Sequence, residues 1–60
     1  MTYEELIKIT DGRVEAVDEA MQMTKNRKAV RLYEEFGNTG SLETFEQVVA
    51  ELYKETGYRF

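Results

Sequence analysis

The feature that most constrains this chain is the run that follows Ser41, in which Leu42, Phe45, Val48, Val49 and Leu52 recur at spacings of three and four. That is the period of a helix with one buried face. Ser41 can accept a hydrogen bond from a first-turn N–H, and Gly57 can take the left-handed conformation that ends a helix, so the spacing predicts a helix from Leu42 to about Thr56. Ala29, Leu32, Tyr33 and Phe36 follow the same rule and lead into Gly37, which reads as a second helix with a glycine stop and a loop over residues 37–40. Val14, Val17, Ala20 and Met21 form an earlier stripe in phase with Leu32 and Phe36. One continuous helix over 13–36 would place Lys25 and Lys28 on the buried stripe, where an unpartnered ammonium is costly, so a break between Thr24 and Lys28 is expected.

The first residues admit two readings. Thr2 followed by Glu5 has the form of a capping box, with Tyr3, Leu6 and Ile7 on one helical face. Residues 6–10, the pair Asp11-Gly12 and residues 13–17 also have the outline of a β-hairpin with a type I′ turn. Helix is favoured, because Glu15, Ala16, Ala20 and Met21 suit a helix better than a strand and a lone hairpin is marginal in water. The expected fold is therefore all-α, a single domain over residues 1–60 built as a bundle of three or four short helices, with an N-terminal β-hairpin packed on two helices as the alternative. The expected core is Leu6, Ile7, Val17, Met21, Leu32, Phe36, Phe45, Val49 and Leu52.

Sixty residues without a single Cys or His leave no disulfide, no thiolate and none of the commonest general bases or metal ligands. No catalytic residue, cofactor or metal ion is expected, and the chain is not read as an enzyme. Asp11-Gly12 and the acid at Asp18 resemble the second half of an EF-hand calcium loop, but Ile7 and Ile9 stand where its leading ligands belong, and no calcium site follows. Glu15, Asp18 and Glu19 share a helical side and are read as solvent-facing. No apolar run is long enough to span a bilayer and no signal-peptide pattern opens the chain, which points to the cytoplasm.

Charge is where function is sought. The net charge of -4 is distributed as -4 over residues 1–24, +4 over residues 25–31 and -4 over residues 32–60. The acids Glu43, Glu46, Glu51 and Glu55 are expected to back the last helix, with Tyr53 beside them. Closely spaced carboxylates on a rigid helix can meet a basic surface on another protein and speed encounter. The leading reading is a small acidic protein-interaction module that binds and modulates a protein partner. One form of it is an inhibitor that offers carboxylates in place of phosphates to a nucleic-acid-binding surface. Compact acidic proteins of this kind are the sort that phages and other mobile elements make, an analogy of class and not of residues. Lys25, Arg27, Lys28 and Arg31 form a second candidate contact. They also carry the first alternative, a helix-turn-helix DNA-binding regulator, although Glu43 and Glu46 early in the second helix would be repelled by phosphate. The second alternative is a self-associating structural module whose two copies complete one core.

Overall fold

The computed structural model describes residues 1–60, and the chain forms four helices and no strand: α1 (Tyr3–Thr10), α2 (Arg13–Met21), α3 (Arg27–Thr39) and α4 (Leu42–Thr56). The all-α bundle is the fold, and the hairpin alternative is excluded.

The Thr2 capping box forms in full. The Glu5 N–H donates to the Thr2 hydroxyl and the Thr2 N–H donates to the Glu5 carboxylate. The Thr2 N–H, and then the Thr2 hydroxyl, which also donates to the Glu5 carboxylate, hold that carboxyl below the usual range. Asp11 and Gly12 both adopt left-handed backbone, at φ 54° and 84°. Those are the dihedrals of a type I′ turn, yet they join two helices. The Gly12 N–H reaches back to the Ile7 carbonyl and the Asp11 N–H to that of Lys8, the paired bonds that close a helix in the Schellman manner. The turn chemistry is that of the hairpin reading, and the flanking residues make it a helix–helix corner.

Thr10 is buried at that corner. Its hydroxyl donates to the Leu6 carbonyl at 2.8 Å and accepts from the Val14 N–H at 3.0 Å, so one side chain ties the last turn of α1 to the first turn of α2. This matters because Gly12 offers α2 no side-chain cap.

The break before α3 spans residues 22–26, beginning ahead of the expected Thr24–Lys28 stretch and overlapping it, and Lys25 and Lys28 are exposed. Asn26 caps α3 by accepting from the Lys28 and Ala29 N–H groups. The expected stop at Gly37 is corrected: α3 continues through Gly37 and Asn38 to Thr39, and Gly40 takes the left-handed position, its N–H donating to the Phe36 carbonyl at 2.7 Å. Gly40 is also the glycine that permits a close approach, since a side chain there would collide with Met1 and press on Ile9. Ser41 caps α4 and Gly57 ends it, as the sequence predicts.

α3 and α4 make the most extensive contact in the molecule. At one end Asn26 Nδ2 donates to Glu51 Oε1 at 3.2 Å, and ten residues further along α3 the rings of Phe36 and Phe45 sit 5.0 Å apart. The two helices thus run in opposite directions and pack along their length. The buried core is Leu6, Val14, Val17, Ala29, Phe36, Phe45, Val48, Val49 and Leu52. Ile7, Met21 and Leu32, expected inside, are half-buried against its edge. Val14, Ala29 and Val48 take their places, each three, four or seven residues from another buried position on its own helix, Val17, Phe36, and Phe45 with Leu52.

Candidate functional site

The expected acidic back of α4 is not assembled as one surface. Helical geometry puts Glu43, Gln47, Ala50 and Lys54 on the outward ridge, all exposed, and this ridge carries one acid and one base. Glu46 and the pair Glu51 and Glu55 lie on opposite flanks, and each is engaged within the chain. Glu46 receives both guanidinium nitrogens of Arg13, at 2.9 and 3.1 Å. Arg13 also donates to the Phe60 main-chain oxygen at 2.9 Å and stacks over the Phe45 ring, so a single residue links α2, α4 and the C-terminal segment. The bidentate pair lowers the Glu46 carboxyl below its ordinary range.

Glu51 is the more enclosed acid, its side chain only 13% exposed. It accepts from Asn26 and, at 3.2 Å, from Lys54, with Lys28 3.7 Å away. The hydrogen bond from Asn26, then that from Lys54, holds it below the usual carboxylate range. Glu55 accepts from the Thr24 hydroxyl and the Lys25 N–H. Together Glu51 and Glu55 fasten the segment between α2 and α3 onto the end of α4. Of the four expected contact acids, only Glu43 has no bonded partner.

Tyr53 is half-exposed with the Arg59 guanidinium 5.1 Å above its ring. Phe60 folds back against the core while Tyr58 stays largely exposed, edge-on to it. Met23 is largely exposed and Met21 half-buried.

Lys25, Arg27, Lys28 and Arg31 are all exposed around the start of α3. Only Lys28 has a carboxylate within ion-pair reach. Arg27 and Arg31 border an open depression of about 460 Å³ with Val30 and Glu34. The first turn of α3 holds the bases Arg27 and Lys28 and no acid, against the helix dipole.

A different acidic surface is present on α2. Glu15 and Glu19 are exposed one turn apart and make no ion pair, and Asp18 between them accepts from the Tyr33 hydroxyl at 2.8 Å. Burial, then this bond, pushes the Tyr33 phenol well up. Tyr3 of α1 stands alongside, 46% exposed, its phenol raised by partial desolvation and then by the charges of Asp18 and Glu15. In the sequence this face does not stand out as a partner surface, because α2 is short and its acids look like ordinary solvated ones. The signal that could have marked it is the absence of any base between Val14 and Thr24 that could neutralise them.

No group of acids converges as a metal site would, and no helix is long and apolar enough to cross a membrane. No known protein family, curated protein or solved structure matches the chain.

Proposed function

We propose that this chain is a non-enzymatic protein-interaction module that docks on a basic surface of another protein and modulates it, using the outward carboxylates of α2. The observation that carries the reading is that Glu15 and Glu19, exposed and adjacent on one helix, have no cation in the fold to neutralise them, whereas Glu46, Glu51 and Glu55 are bonded within the chain. Like charges one turn apart weaken an isolated helix, and Glu19 lies in the last turn of α2, at the negative end of the dipole. Glu15, in the first turn, is favoured by that dipole, but the fold gains nothing from the charge of Glu19, whereas a cationic partner would engage both. Half-exposed Tyr3 adds an aromatic contact of the kind enriched at interfaces. Glu43 is a secondary contact on α4.

The distinction decides how the reading is tested. Neutralising Glu46, Glu51 or Glu55 would loosen the fold as well as any docking face, so those variants confuse the two effects. Glu15→Gln with Glu19→Gln touches no internal bond. Immobilised protein incubated with host lysate should retain a partner bearing a basic surface, eluted by moderate salt because surface charge pairs are screened over ~8 Å at physiological ionic strength. The double variant should retain markedly less. Equal capture by the variant, or elution insensitive to salt, refutes the acidic α2 face.

A further inference from the structure

Gly37 occupies the interior of α3 with ordinary helical backbone, and a side chain added there would meet nothing within 4 Å. Neither a left-handed turn nor a neighbour within the molecule accounts for a glycine at a position where it weakens the helix. Gly37 adjoins the outward ridge of α3, formed by Arg27, Arg31, Glu34 and Asn38, all exposed and on the side opposite buried Ala29 and Phe36. Val30, half-buried, lies on the same flank as Gly37. The open depression bounded by Arg27, Val30, Arg31 and Glu34 is part of this surface.

From these features we infer that the outer face of α3 binds a second copy of this chain, the two α3 helices pairing antiparallel about a twofold axis. The charge order is self-complementary in that arrangement. Setting Arg31 opposite Glu34 of the second copy places Glu34 opposite its Arg31 and Arg27 opposite its Asn38, because a twofold interface repeats every contact. On the flank, Val30 of each chain falls near Gly37 of the other, where the missing side chain lets the backbones approach. The same pairing sets the cationic first half of each α3 against the acidic second half of its mate, which answers the charge order that the isolated helix leaves opposed to its dipole. Tyr33, three residues from Val30 and four from Gly37 on their flank, reaches Asp18 of α2, so the seam borders α2, but its charge pairs, Arg31 with Glu34, use neither Glu15 nor Glu19.

Sedimentation equilibrium tests the pairing. The wild-type chain, 7.0 kDa as a monomer, should approach twice that mass between about 10 μM and 1 mM, the range of a small single-helix interface. Arg31→Glu and Glu34→Arg should each weaken association by about ten-fold or more, since each sets like charges face to face. Mixing these two variants should restore it. The acid introduced at position 31 of one chain then meets the base introduced at position 34 of the other, and the unchanged Glu34 of the first faces the unchanged Arg31 of the second. Gly37→Leu should leave the monomer folded by circular dichroism and still abolish the dimer. A wild-type mass that stays at 7.0 kDa throughout the range overturns the proposal, as does a mixture that associates no better than its components. Glu15→Gln with Glu19→Gln should not change the dimer, so this result and the partner-capture result stand or fall separately.

Discussion

Thr10 shows how much a single hydroxyl can hold in so small a protein. It is buried, it donates to the carbonyl of Leu6 and it accepts from the N–H of Val14. Thr10→Val keeps the shape and removes both bonds, leaving a buried N–H at the start of α2 with no partner. An unsatisfied buried donor costs about 1–3 kcal/mol, so urea titration should show a loss of that size, with Thr10→Ser retaining most of the stability. In the sequence, Thr10 is one polar residue before a turn, and nothing in its neighbours marks it as buried. Its role depends on the corner angle between α1 and α2, which only the left-handed backbone of Asp11 and Gly12 creates. Arg13 is equally hard to recognise, because its partners Glu46 and Phe60 lie far along the chain. Caps and glycine stops, in contrast, act within four residues of themselves. That is why Thr2, Ser41 and Gly57 are legible and long-range polar contacts are not. Gly37 misleads for the converse reason: glycine permits a helix to end but does not compel it, and Gly40, three residues on, accepts the left-handed conformation instead.

At the scale of the element, the charges on α3 and α4 divide into those that stabilise the fold and those that do not. Glu46 and Glu51 belong to the first group, each held below the ordinary carboxyl range by hydrogen bonds present only in the folded state. A group whose folded value is depressed contributes stability above its unfolded value, about 4.3 for Glu, and loses that contribution as pH falls through the folded value. Stability should therefore hold from pH 7 to about pH 5 and decline below about 4.5. Glu51→Gln should lower the plateau and flatten the acid limb in denaturation curves followed over that range. The charges of the second group stand at the wrong end of the α3 dipole. Arg27 occupies the first turn, has no carboxylate partner and sits where an acid would be favoured. Arg27→Glu should stabilise the monomer by about 0.3–1 kcal/mol, measured by thermal melting at low protein concentration. A loss of stability instead would mean that Arg27 has a role inside the monomer. The acid and base clusters are visible in the sequence as blocks of charge, but composition cannot tell a carboxylate bound across the fold from one left free. Residues 43–55 look like the acidic surface because four glutamates fall close together there, and the fold uses three of them internally.

For the whole molecule, a core of nine buried apolar residues must hold sixty. Stability of roughly 0.05–0.15 kcal/mol per residue gives about 3–9 kcal/mol for a chain of this length. Phe36 is fully buried and packs its ring on Phe45, joining α3 to α4 close to the turn that connects them. Phe36→Ala, at about 3–5 kcal/mol, removes most of what is available, and circular dichroism should find the dilute variant largely unfolded at room temperature. A protein with so narrow a margin gains from any partner that binds only its folded form, because mass action raises the apparent stability as concentration exceeds the dissociation constant. If two copies join through α3, the melting temperature of the wild-type chain should climb as protein concentration is raised across the dimerisation range, and that of Arg31→Glu should stay level. Both chains retain the same core, so a difference in this dependence reports the seam and not the packing inside one copy. A melting temperature independent of concentration in both would place the whole of the stability in the nine-residue core and leave the glycine and charge order of α3 without that explanation.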